Sequence, residues 1–193
     1  MKFKDYLLLE TPLIVDLGNN SELLAKKFKI LKNKEVLKEE SFNNYKILYY
    51  PSPFKNNVEI ILFNKDELNT PLLYISQYIE TILNKKFVKN AYINKAKSLN
   101  SDDVQLVLFH LSDKYDGMIS DDTQSDGGKK MWKSLLEKAD QKNYKIGVYN
   151  NVSTEISFKD KGISFKLWYS LKSREVYSET NLISLSYQMI ILK

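Results

Sequence analysis

Cysteine is absent from the chain, so disulfides, thiolate nucleophiles, iron–sulfur clusters and cysteine zinc sites are excluded by inventory. Histidine is nearly absent. His110 stands alone, which rules out a His-His metal pair, forces any Ser-His-acid triad through one residue and leaves only an all-carboxylate site for a metal. Arginine is almost missing too: of 29 basic residues only Arg174 is one. Proteins that read nucleic acids favour arginine for bidentate contacts, so a net charge of +5 carried by lysine implies only weak, salt-sensitive attraction to polyanions. A nucleic-acid-binding function is therefore the weakest of the readings open to the chain.

Long apolar runs are lacking as well. No stretch approaches the roughly 20 residues that cross a bilayer. Near the start, Leu7-Leu8-Leu9 is flanked by Asp5 and Glu10, so no secretory core forms and a cytoplasmic location is expected, with no membrane partner. Gly/Pro/Ser-rich linkers, repeats and low-complexity tracts are missing, and 193 residues suit one domain. What is present is core material: 43% hydrophobic and 12% aromatic residues, enough to bury a core without cross-links.

Periodicity predicts a mixed α/β (α+β) fold with a largely antiparallel sheet and flanking helices. Asn20-Ser21 reads as an N-cap, and Leu23, Leu24, Phe28 and Leu31 recur at helical spacing. A polar, Lys/Glu-rich stretch follows, then strands at Tyr45–Tyr50, Val58–Phe63 and Leu72–Ile79, with a turn over Asn64–Pro71. Phe87–Ile93 is another strand, Asp103–Tyr115 a helix, and Met118–Ser120 a short strand. Asp122–Gly128 reads as a polar loop, and Met131, Trp132, Leu135, Leu136 and Ala139 mark the most amphipathic helix. Lys145–Tyr149 is a buried strand. Ile156–Phe158 and the alternating Ile163, Phe165, Leu167 and Tyr169 flank the turn Lys159–Gly162 as a hairpin, and Ser184–Leu192 is the last strand.

The succession strand, helix, short strand, helix, strand over Phe87–Tyr149, preceded by antiparallel strands, resembles the cofactor-binding half of the GNAT N-acetyltransferase fold. Ser120-Asp121, Gln124, Gly127-Gly128 and Trp132-Lys133-Ser134-Leu135 are similar to a pattern in acetyltransferase-like proteins of phages and mobile elements. In that family the acyl-CoA pyrophosphate is held by a Q/R-x-x-G-x-G/A loop at a helix N-terminus, where backbone N–H groups and the helix dipole suit an anion. Two registers are open here. Ser98–Asp103 follows the long strand but has no glycine and carries two acids. Gln124–Lys129 has the glutamine and the first glycine, with lysine in place of the second, so Gln124, Gly127, Gly128 and Lys129 are the candidate cofactor residues. The first register implies a degenerate GNAT-like protein without cofactor that acts by binding a protein partner, in a phage or mobile-element setting a host protein. The second implies an acyl-CoA-dependent N-acyltransferase using acetyl-CoA.

Acyl transfer needs a base for the amine and often a tyrosine to protonate the leaving thiolate. Asp121 and Asp122, at the end of a short strand, are the candidate bases, although capping or turn formation explains them as well. Tyr149 is the candidate acid, against the plainer reading of an aromatic packed at a strand end. Trp132 reads as a core anchor and His110 as a half-buried structural histidine.

Overall fold

The computed structural model describes residues 21–54, 56–121, 126–176 and 187–193. Among them the architecture is α+β: four helices and a nine-stranded, mostly antiparallel sheet. The opening helix α1 (Ser21–Leu31) leads into β1 (Lys38–Phe42), β2 (Tyr45–Pro51), β3 (Asn57–Asn64), β4 (Glu67–Ile82) and β5 (Lys85–Lys95), a continuous antiparallel meander. Then follow α2 (Ser101–Leu111), β6 (Gly117–Ile119), α3 (Asp126–Gln141), β7 (Lys145–Asn150), β8 (Glu155–Phe158), α4 (Phe165–Val176) and β9 (Tyr187–Leu192). The sheet order is β1-β2-β3-β4-β5-β6-β9-β7-β8, and the β5–β6 pair is its one parallel junction.

Both faces of the sheet centre are covered. Successive residues of β3 therefore enter different cores, and the strand reads as an unbroken apolar run rather than an alternating one. Ile60 and Leu62 join Ile75, Val88, Met118, Val148 and Met189 under α2, α3 and α4. Ile61 and Phe63 turn to the other face, where Leu24 and Leu31 of α1 pack with Tyr50 and Tyr74. Further along that second face Ile82, Phe87, Ile119, Tyr149, Ile190 and Leu192 form a third buried group.

Asparagine closes the turns. Asn43, Asn56, Asn84 and Asn143 all adopt positive φ, and none of the described glycines does. Asparagine tolerates this region because its short amide bonds locally to the backbone. The exceptions are Thr154 at φ 57° and the bulkier Leu83. Leu83 sits at φ 51° beside Asn84 at φ 62° in the β4–β5 hairpin, a geometry in which a leucine side chain is strained. Because Leu83 is 58% exposed, its burial contributes little. Leu83→Asn is expected to raise stability by about 0.5–1 kcal/mol in urea unfolding, relieving part of a strain of roughly 1–2 kcal/mol; a loss of stability would show that the leucine is held by contacts.

The hairpin expected between Ile156–Phe158 and Ile163–Tyr169 is not formed. Residues from Phe165 are helical: Ser164 caps α4, its Oγ accepting from Leu167 N at 3.4 Å, and Trp168 and Val176 reach the core while Leu167 and Leu171 stay exposed. Within that alternation Phe165 and Tyr169, four apart, share a face in a helix as well as in a strand, and Trp168 completes the helical face. β8 finds its partner upstream instead, with Gly147 opposite Phe158 and Asn150 opposite Glu155. The polar stretch before Tyr45 supplies β1, an edge strand that has no need of an apolar pattern. The turn at Asn64–Pro71 shrinks, since β4 begins at Glu67 and absorbs Pro71 beside a register shift. Of the expected last strand, Tyr187–Leu192 is seen and 184–186 lie outside the described residues. Among the described residues no helix is long and apolar enough to cross a membrane.

Candidate functional site

β5 and β6 are paired only from Phe87–Lys89 to Gly117–Ile119, while β5 runs on to Lys95 beside β4 alone. The two parallel strands thus part at their C-terminal ends, where open sheets place ligands. Four side chains line this point on the second face. Lys89 is almost fully buried and lies 3.5 Å from Glu80 and 3.8 Å from Asp121, with its ammonium 5.6 Å from the Tyr78 ring centre. Burial pushes the Tyr78 phenol up, against the opposing pull of Lys89. Asp121 is thereby placed as an ion-pair partner of a buried lysine.

Tyr149 lies on the same face but is not open to it. It is 8% exposed, packed with Ile82, Phe87 and Ile119, and stands opposite Gln188 of β9. Gln188 Nε2 donates to Ser120 O at 2.8 Å, and Met189 N donates to Ser120 Oγ at 3.0 Å. β9 therefore separates Tyr149 from Asp121 and joins them through Gln188 and Ser120. Asp122 and Gln124 lie outside the described residues.

The glycine loop expected over Gln124–Lys129 is corrected by α3, which begins at Asp126. Gly127 and Gly128 are in its first turn, and Lys129 is paired with Asp126 at 3.7 Å. The alternative register is no better suited to a diphosphate. At the N-terminus of α2, Asn100 Oδ1 accepts from Asp103 N at 2.7 Å and Asn100 Nδ2 donates to Asp103 Oδ2 at 2.6 Å, a reciprocal cap. Asp102 is tied to Lys138 of α3 at 2.6 Å, and the nearby Lys95 ammonium is bonded to Leu99 O at 2.7 Å. The helix end that would meet a CoA pyrophosphate presents two carboxylates, and its nearest lysines are already engaged. These residues do not fit the group.

Comparison of the chain with family models, with curated proteins and with solved structures gives no match.

Two polar clusters escaped sequence reasoning. His110 stacks on Phe42 at 4.1 Å and 16°, and its Nε2 meets Glu40 Oε1 at 3.2 Å. Lys38 and Tyr49 also bond Glu40, and Lys114 lies 3.7 Å away. Partial burial acts to raise the Glu40 carboxyl, but these hydrogen bonds and positive charges outweigh it and bring it down to about 2. Burial and the same carboxylate push the Tyr49 phenol well up. The cluster ties the edge strand β1 to α2, so His110 has the structural role expected of it together with a partner the sequence did not reveal. The second cluster is Glu59, buried on β3, which accepts from Tyr74 Oη, from Ser52 Oγ at 2.9 Å and from Ser76 Oγ at 3.4 Å. Lys27 of α1 lies over the Tyr74 ring at 5.3 Å, its ammonium pKa lowered by burial against the pull of Glu59. The sequence signal was there in part, since Glu59 interrupts the apolar run of β3 at an inward position. Among the described residues no group of three potential metal ligands converges.

Proposed function

We propose that the chain is a degenerate, GNAT-like protein that works by binding a protein partner in the cytoplasm, in a phage or mobile-element setting a protein of the host, and not by transferring an acyl group. The carrying observation is the N-terminus of α2, where Asn100, Asp102 and Asp103 occupy the place and the charge complementarity that a diphosphate would need. A carboxylate already stabilised by the helix dipole repels a second anion. Support for the scaffold comes from the strand, helix, short strand, helix, strand succession across Lys85–Asn150 and from the parallel β5–β6 pair within an antiparallel sheet.

Thermal unfolding with excess acetyl-CoA tests the reading. A ligand present at a hundred times its Kd adds about 2.7 kcal/mol to a folded-state binder. For a chain of this length that is roughly 5–11 °C in Tm. No shift is expected. A rise of several degrees, abolished by Gly127→Trp, would instead establish the acyl-CoA-dependent N-acyltransferase reading and return Tyr149 and Asp121 to candidacy as acid and base.

A further inference from the structure

The sheet ends in two edge strands of different character. β1 carries Lys38, Glu39 and Glu40, charges of the kind that discourage pairing with another chain, and Glu39 is bridged to Lys46 at 2.8 Å. β8, Glu155–Phe158, has no proline, no lysine and no bulge, and its Phe158 is 38% exposed. The orientation of its backbone follows from one bond. Lys159 N donates to Ile146 O at 2.8 Å, so Lys159, Ser157 and Glu155 turn their backbone groups inward to β7. Ile156 and Phe158 turn theirs outward, and among the described residues no hydrogen bond engages those outward groups. A donor and an acceptor on each of two alternate residues therefore stand at an open, weakly defended edge.

We propose that this edge is the interface of a symmetric homodimer in which β8 pairs antiparallel with β8 of a second copy, extending the sheet across a twofold axis through Ser157. The choice of occupant rests on the self-complementarity of Glu155-Ile156-Ser157-Phe158-Lys159. With Ser157 on the axis, the outward N–H and C=O groups of Ile156 meet those of the partner's Phe158, and the reverse, so every outward group of both residues is satisfied. On one face Ile156 then lies opposite the partner's Phe158, a β-branched–aromatic pair of the kind that stabilises antiparallel ladders. On the other face Glu155 lies opposite the partner's Lys159, a cross-strand pair of opposite charge. That lysine already pairs with Asp140 of its own copy at 3.1 Å, so the partner's Glu155 would join an existing ion pair and the backbone and the Ile156–Phe158 contacts carry the interface. Shifting the register by one residue would set Glu155 against the partner's Phe158 or Asp160 and remove these matches.

The absence of cysteine makes the test direct. In the proposed register Ser157 faces its own copy at a non-hydrogen-bonded position, with Cα atoms about 4.5 Å apart. That lies within the roughly 4.4–6.8 Å range a disulfide spans. The full chain carrying Ser157→Cys is expected to form a covalent dimer under mild oxidation at least about tenfold faster than Ser153→Cys, since a directly opposed pair needs no backbone movement. Sedimentation equilibrium of the unmodified chain is expected to show a concentration-dependent dimer. Ile156→Pro, which removes an outward N–H without touching the β7–β8 ladder, is expected to weaken it at least about tenfold. A monomer at all concentrations, or equal cross-linking rates at positions 157 and 153, overturns the proposal. The cysteine variants decide the question even if the proline variant fails to fold.

Discussion

Gly117→Ala is expected to be among the most damaging single substitutions in the protein. Gly117 lies at the sheet centre, opposite Phe87 of β5 on one side and Leu192 of β9 on the other. A Cβ built there would stand 1.9 Å from Ile191 O and 3.0 Å from its carbonyl carbon. Both are backbone atoms of a paired strand and cannot rotate away as a side chain would. Overpacking in cores costs typically 1–3 kcal/mol, and a clash with backbone belongs at or above the top of that range, so the loss is set at about 3 kcal/mol or more. At 2–4 °C per kcal/mol this is roughly 6–12 °C in Tm, read by differential scanning calorimetry. Because the strained pairs are β6–β9 and β5–β6, the same variant should also increase amide exchange there before the β1–β4 meander responds. A change below about 1 kcal/mol, against the overpacking range, would mean that β9 can move off β6 at little cost.

Glu59→Ala is the second. The carboxylate is buried, holds Tyr74, Ser52 and Ser76, and its charge partly offsets the burial of Lys27, itself 8% exposed. Removing it leaves the Tyr74 phenol without its acceptor and Lys27 without the charge that offsets its burial, in an apolar junction between α1 and the sheet. Leaving a buried donor without its acceptor costs about 1–3 kcal/mol and more beside a charge, so a loss of about 3 kcal/mol is expected. The mechanism predicts a partner effect: Glu59→Ala combined with Lys27→Met should recover a substantial part of the loss, since the buried charge goes as well. Denaturant unfolding of the two single variants and the double variant measures this coupling. Strictly additive losses would show that Glu59 acts through its hydroxyl partners alone. Tyr74→Phe provides the scale for one of those bonds, with an expected loss of about 1 kcal/mol.

The elements that sequence reasoning located correctly are those whose burial is one-sided or whose ends carry their own chemistry. α1 is legible from the spacing of Leu24, Phe28 and Leu31, α2 from the Asn100 cap and Val104, Val107, Leu108 and Leu111, and α3 from Trp132, Leu135, Leu136 and Ala139. The errors fall where local pattern is ambiguous or silent. β1 is charged because an edge strand can be. α4 reads as a strand from the alternation of Ile163, Phe165, Leu167 and Tyr169, of which only pairs four apart share a helix face, and the Ser164 cap is the local signal for the helix.

The candidate site shows the same division. Asp121 was legible as an acid at a strand end, but its partners Lys89 and Glu80 come from strands remote in sequence, and a lysine in a strand is ordinarily a solvated residue. Tyr149 was legible as an aromatic at a strand end, and its packing with Phe87 and Ile119 follows only from the insertion of β9 between β6 and β7. The link from His110 to Glu40 joins residues 70 positions apart and has no local trace.

The amino-acid sequence by itself determined the chemistry that is excluded, the mixed α+β class and the apolar faces of α1, α2 and α3, because these depend on inventory and on periods of a few residues. The tertiary structure alone decided the β5–β6 parallel junction, the insertion of β9, the burial of Lys89 and Glu59 with their partners, and the open edge at β8. Each of these depends on which distant strands share hydrogen bonds, and no short-range pattern encodes that choice.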